Sequence, residues 1–156
     1  MKLLVLSWEN FGTVDILAAF SKTGIETCVF KTSQEELLAP GIGDGVTAAM
    51  KDNTCDAVFG FNYFPYVAEA AHKHGYDYYS WVYDNPSVQL YSMTVRYPTN
   101  HIHIFDSDTY LTLKALGIDT VSFLPMAATP AEEHTNNYIC DLSFVGSMYN
   151  EEHNFY

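Results

Sequence analysis

Four short apolar runs in this chain each stop at a cluster of rings, carboxylates and amides. Leu3-Leu4-Val5-Leu6 runs into Ser7-Trp8-Glu9-Asn10, Ala57-Val58-Phe59 into Gly60-Phe61-Asn62-Tyr63, Tyr79-Ser80-Trp81-Val82 into Tyr83-Asp84-Asn85-Pro86, and Ile102-His103-Ile104-Phe105 into Asp106-Ser107-Asp108. The third cluster carries the most chemistry. A carboxylate such as Asp84 at a strand end holds a ligand hydroxyl or takes its proton, and the Trp81 and Tyr83 rings offer flat apolar faces on which a pyranose stacks. The competing reading is local: Asp84 and Asn85 satisfy backbone amides in an Asx-type turn ahead of Pro86, and Asn62 caps the helix that contains Pro65.

Other constellations carry less. His101 and His103 are two apart on a strand and share a face, which suits a metal, but Asp106 falls on the other side of a regular strand; the alternative is a polar pair near the sheet end. His72 and His74 diverge on a helix and read as surface residues. Gly12 is the single glycine after the first apolar run, so the G-x-G-x-x-G turn that lets a dinucleotide pyrophosphate approach the backbone is missing. A P-loop lysine motif is absent, and Gly60-Phe61-Asn62 lacks the aspartate of a phosphoacceptor domain. No cofactor and no metal is expected.

These clusters need a scaffold that brings them together. The sequence predicts strands over residues 2–7, 25–30, 57–61, 78–82, 102–105 and 121–124. Between them lie a helix over 13–22, with Ile16, Leu17 and Phe20 on one face and Gly24 beyond it, a weak helix over 43–51, and a helix that starts at Pro65 and ends before Gly75. A last helix is N-capped by Ser107 and ends before Gly117. Strands that alternate with helices pair in parallel through right-handed crossovers, which makes the fold class α/β: a Rossmann-like three-layer domain with a mostly parallel sheet. Ligands of such sheets bind beyond the carboxyl ends of the strands, where all four clusters fall.

The 156 residues suffice for one such domain over 1–126, followed by a linker over 127–137 rich in Pro, Glu, Thr and Asn. Residues 138–156 restart a strand and a glycine turn and read as the beginning of a second, truncated Rossmann-like domain. The β-favouring stretch 138–145 is expected to dock on a sheet edge of its own domain or to pair with another copy. Acidic groups outnumber basic ones 19 to 7, for a net charge of −12, so nucleic acid and anionic membranes are poor partners. The apolar runs are too short for a signal peptide or a membrane span, and a cytoplasmic location is expected. Cys28, Cys55 and Cys140 have no disulfide or zinc spacing and read as buried thiols.

Taken in order, Leu6-Ser7-Trp8-Glu9-Asn10-Phe11-Gly12, Asn62-Tyr63-Phe64-Pro65, Trp81-Val82-Tyr83-Asp84-Asn85-Pro86, Asn100-His101-Ile102-His103-Ile104-Phe105-Asp106, Leu124-Pro125-Met126-Ala127 and Asp141-Leu142-Ser143-Phe144-Val145-Gly146-Ser147 resemble the amino-terminal domain of the spore-maturation (CgeB-like) glycosyltransferases of bacteria. The resemblance implies one half of a GT-B architecture, in which two Rossmann-like domains face a cleft. The amino-terminal half holds a carbohydrate or other hydroxyl acceptor, and the second domain holds the nucleotide sugar. Under that expectation Asp84, then Glu9, is the base or hydroxyl anchor; Trp8, Tyr63, Trp81 and Tyr83 shape the pocket; and Asn10, Asn62, Asn85 and Asp106 hydrogen-bond the acceptor. The isolated chain is expected to be inactive, and a non-catalytic carbohydrate-binding or protein-interaction module is the alternative.

Overall fold

The computed structural model describes residues 1–8, 10–129 and 140–142. The elements run β1 (Lys2–Ser7), α1 (Thr13–Lys22), β2 (Glu26–Lys31), α2 (Gln34–Leu37), α3 (Ile42–Asp52), β3 (Ala57–Phe61), α4 (Pro65–His74), β4 (Asp77–Val82), two 3₁₀ turns (Val88–Tyr91 and Met93–Arg96), β5 (Asn100–Ile104), α5 (Ser107–Ala115) and β6 (Val121–Phe123). The six strands form one wholly parallel sheet in the order β2-β1-β3-β4-β5-β6. With helices on both faces, this is the Rossmann-like α/β architecture that the alternating pattern implies.

The boundaries follow from local chemistry. Leu3, Leu4, Val5 and Leu6 are all buried because β1 lies inside the sheet and meets packed layers on both sides. Pro65 starts α4 where no backbone donor is required, and Gly75 ends it in the left-handed conformation at φ 73°. Residues Ser33 and Glu36 form a reciprocal capping box that starts α2, an element absent from the expected set. The cap of α5 is Asp106 rather than Ser107: its Oδ1 accepts the Thr109 N–H at 2.8 Å, while Ser107 is the first helical residue. Hydrogen bonding from Thr109, its hydroxyl first and this backbone N–H second, lowers the pKa of the Asp106 carboxyl.

Right-handed crossovers put α1, which leads leftward to β2, on one face of the sheet, and α3, α4 and α5, which lead rightward, on the other. Phe20 of α1 accordingly packs edge-on against Phe59 of β3, with ring centroids 5.2 Å apart. On the other face α3 and α4 lie so close that a Cβ on Gly43 would sit 2.8 Å from that of Ala70. The two faces of β4 and β5 differ. Tyr78, Ser80, Val82, Asn100, Ile102 and Ile104 are buried under α4, the 3₁₀ turns and α5, whereas Tyr79, Trp81, His101 and His103 are only half-buried.

Cys28 and Cys55 are half-buried, and Cys140 is exposed, which corrects the expectation of buried thiols. Burial and the neighbouring Cys28 raise the pKa of the Cys55 thiol. No helix among the described residues is long and apolar enough to cross a membrane. Residues 127–129 are in neither helix nor strand, and Thr129 Oγ1 donates to Asp15 Oδ1 of α1 at 2.9 Å. The rest of the expected linker and most of the expected strand 138–145 lie outside the described residues, as does Glu9.

Candidate functional site

The carboxyl edge of the sheet is organised around Asn62, the first residue after β3. Its backbone takes a left-handed conformation, φ 62°, which asparagine tolerates better than most residues. The bend turns a buried side chain toward the end of β4, where Oδ1 accepts the backbone N–H groups of Tyr83 (3.2 Å) and Asp84 (3.3 Å), and Nδ2 donates to Asp84 Oδ2 at 2.6 Å. The Asn62 main chain is also held: its N–H donates to Trp81 O at 2.9 Å, and its carbonyl accepts from the Tyr78 hydroxyl at 3.3 Å. Asn62 therefore clamps the β3 and β4 ends and fixes one oxygen of an exposed carboxylate. Asp84 Oδ1 has no hydrogen-bond partner among the described residues.

This pair borders a cleft of about 190 Å³, whose other walls include Gln34, Phe64, Ser87 and Gln89. Ser87 Oγ donates to Gln89 Oε1 at 3.2 Å, so the wall facing the carboxylate is polar. Neither Ser87 nor Gln89 is a candidate on sequence grounds. Their only signal is position, on the loop just past the Asp84-Asn85-Pro86 turn, whose Asn85–Pro86 peptide bond is cis.

The rings separate into two groups. Trp8 is buried between the ends of β1 and β3; its indole N–H donates to Phe61 O at 3.2 Å and its ring meets Phe64 edge-on at 5.8 Å. Tyr63 borders the cleft, but its side chain enters the core, where its hydroxyl pairs with Thr94 Oγ1 at 2.8 Å and accepts from Asn100 Nδ2 at 3.3 Å. Burial raises the pKa of the Tyr63 and Tyr78 phenols far above the ordinary range. Trp81 and Tyr83 instead point, with Phe61, to the face that carries α1: Phe61 stacks on Trp81 at 5.9 Å and meets Tyr83 edge-on at 5.2 Å. The Tyr83 phenol pKa is pushed up to about 12, first by burial and then by the adjacent Asp84 carboxylate.

Asn10 pins the turn from β1 to α1, accepting from Thr13 Oγ1 at 2.6 Å. Its Nδ2 and the Trp81 indole nitrogen are buried donors with no partner among the described residues. Asn85 is exposed, and among the described residues its side chain reaches only the Thr109 hydroxyl, which donates to Oδ1 at 3.5 Å. Asp106 spends one oxygen on the α5 cap. Thus the structure brings Asn62 and Asp84 together, sets Trp81 and Tyr83 on the adjoining sheet face, and buries Trp8 and Tyr63 beneath the edge. Among the described residues no group of three or more His, Cys, Asp or Glu side chains gathers to hold a metal. His101 and His103 do share a face, but His101 Nε2 pairs with Asp77 Oδ1 at 3.0 Å and His103 Nδ1 with Ser122 Oγ at 2.6 Å.

Chemically, the corner at Asp84 offers an oriented carboxylate with a free oxygen, a polar wall, and space for a small hydroxylated group. Comparison with known protein families and with curated proteins finds no match.

Proposed function

We propose that this chain is the acceptor-side domain of a GT-B-type glycosyltransferase, which moves a sugar from a nucleoside diphosphate sugar to a hydroxyl acceptor. The observation that carries the reading is the Asp84 carboxylate. One of its oxygens is held by Asn62 Nδ2 at 2.6 Å while the other faces solvent at a cleft on the carboxyl edge of a parallel sheet. An acceptor hydroxyl that donates to the free oxygen is oriented for attack on the anomeric carbon of the donor. As the new carbon–oxygen bond forms and the nucleoside diphosphate leaves, the carboxylate takes the hydroxyl proton. The donor is held by polypeptide outside the described residues.

Binding and turnover test this reading separately. The chain is expected to bind glycosides in calorimetric titrations, Asp84→Ala to weaken that binding about tenfold, in line with the loss of a charge-assisted hydrogen bond, and nucleoside diphosphates not to bind at micromolar concentration. Micromolar nucleotide affinity would overturn the division of labour. In a protein that also carries the donor site, Asp84→Asn lowers turnover by about 10² to 10⁴; unchanged turnover removes Asp84 from the mechanism. A second reading, a protein-interaction module, is favoured by the half-buried aromatic face of β4 and β5, which no described element covers.

A further inference from the structure

Two of the three cysteines meet toward the amino ends of the strands, away from the Asp84 cleft. Cys28 lies on β2 beside Leu4 of β1. Phe30, two residues on and so on the same face, lies beneath α3, 3.5 Å from where a Cβ on Gly45 would stand. From there α3 runs back along the strands to Asn53, whose carbonyl accepts from Lys2 Nζ at 2.8 Å beside the start of β1. The helix ends in a left-handed turn in which the Thr54 N–H donates to Lys51 O at 3.1 Å and the Cys55 N–H to Met50 O at 3.0 Å. That closure turns Cys55 in against the core. There its thiol meets Cys28, which acts on it both as a charge and as a hydrogen-bonding partner.

The turn that delivers Cys55 is strained. Thr54 holds φ at 51°, a region where a β-branched residue is an outlier and glycine is the usual occupant. Strain of this kind collects at functional sites, where the surrounding structure enforces it. Both cysteines are half-buried, so a small reagent reaches them. Among the described residues no third His, Cys, Asp or Glu joins them to complete a metal site, which leaves chemistry that two sulfurs perform alone. Burial, then Cys28, hold the Cys55 pKa up against the pull of the Lys2 ammonium. The reduced pair is therefore not stabilised as a thiolate, a condition that favours the bonded form.

We propose that Cys28 and Cys55 form a thiol–disulfide exchange site, which reacts with low-molecular-weight disulfides such as glutathione disulfide and closes a reversible bond between β2 and the turn before β3. One cysteine thiolate attacks a sulfur of glutathione disulfide, forms a mixed disulfide and releases one glutathione. The second thiolate attacks the protein sulfur of that mixed disulfide, forms the Cys28–Cys55 bond and releases the other. The two glutathiones carry away the two protons and two electrons that the protein loses, and excess glutathione reverses both steps. The full chain with Cys140→Ser, which removes the exposed third thiol, tests this by incubation in glutathione disulfide, alkylation and peptide mapping, with circular dichroism as the check on folding. Iodoacetamide labelling of Cys28 and Cys55 is expected to fall together by about tenfold or more, a peptide pair joined through these residues within one chain to appear, and excess reduced glutathione to restore labelling. Adding Cys28→Ser or Cys55→Ser is expected to stop the reaction at the mixed disulfide, with glutathione retained on the remaining cysteine. The parent chain decides the question even where a serine variant does not fold. If that folded chain leaves both thiols open to alkylation, or retains glutathione on either one with no linked peptide pair, the proposal is overturned.

Discussion

Replacing Asn62 by alanine removes three hydrogen bonds while the backbone remains at φ 62°. The two bonds from the Tyr83 and Asp84 amides are long, 3.2 and 3.3 Å, and lie at a partly wet edge, so they contribute about 0.5 kcal/mol each, the low end for a neutral bond. The bond to the Asp84 carboxylate is short at 2.6 Å but solvent-screened, and adds about 1 kcal/mol. An alanine in the left-handed region costs roughly 1 kcal/mol more. The expected loss for Asn62→Ala is therefore about 3 kcal/mol, or roughly 6–12 °C in Tm for a chain of this size. Asn62→Gly forfeits the same bonds without the backbone penalty, and should be more stable than the alanine variant by about 1 kcal/mol. Urea unfolding followed by circular dichroism, with thermal melts, measures both. If glycine is no better than alanine, the backbone argument fails. If both variants lie within about 0.5 kcal/mol of wild type, the size of a neutral surface change, the clamp itself does. Asn62→Asp adds a sign test, because it sets a second carboxylate against Asp84. Like charges raise both carboxyl pKa values above their unfolded ones, so the stability lost at neutral pH returns as the pH falls through the carboxylate range.

Two glycines predict opposite outcomes. A Cβ at Gly12 would meet the Phe61 ring at 2.6 and 2.7 Å, so Gly12→Ala should cost about 1–3 kcal/mol in the unfolding assay and alter the fluorescence of Trp81, which stacks on Phe61. Gly45 lies inside α3 with only Phe30 nearby, at 3.5 Å, so Gly45→Ala should stabilise by about 0.5–1 kcal/mol. The Tyr83 phenol keeps its proton to about pH 12 in the folded state. An unfolded tyrosine loses its proton near pH 10. This contribution to stability is complete below the unfolded value and is lost as the pH rises through the folded one, so alkaline titration of Tyr83→Phe should show a shallower decline than wild type.

How much of this was legible in the sequence depends on how local its cause is. Both β1 and α1 stand out because Leu3–Leu6 is continuous and Ile16, Leu17 and Phe20 recur at helical spacing before Gly24, and both match the expected 2–7 and 13–22. By contrast α2 has only the residues Gln34–Leu37, too few to show an apolar period, although its Ser33-x-x-Glu36 box was present. At α5 the sequence offered two adjacent capping side chains, and the choice of Asp106 is a backbone matter, settled by which residue is extended ahead of the Thr109 N–H. The site was harder. Asp84 and Asn62 are 22 residues apart and meet only because β3 and β4 pair Phe61 with Trp81 and Asn62 then turns left-handed. Tyr63 reads as a pocket ring until the partners of its hydroxyl, Thr94 and Asn100, arrive from a 3₁₀ turn and the start of β5. The alternation of half-buried and buried residues along β4 could not be foreseen, since whether a face is covered depends on the direction of every crossover.

The central claim is that the corner formed by Asn62 and Asp84 binds a hydroxylated small molecule. Amide-resolved NMR of the chain, titrated with a panel of monosaccharides and glycosides, tests it most directly. The account predicts shift changes at the Asn62 side-chain amide and at the backbone amides of Asp84, Ser87 and Gln89, and predicts that Asp84→Ala moves the titration to about tenfold higher ligand concentration in a folded protein. Saturable shifts that map elsewhere, or a spectrum unchanged at millimolar ligand, would contradict it.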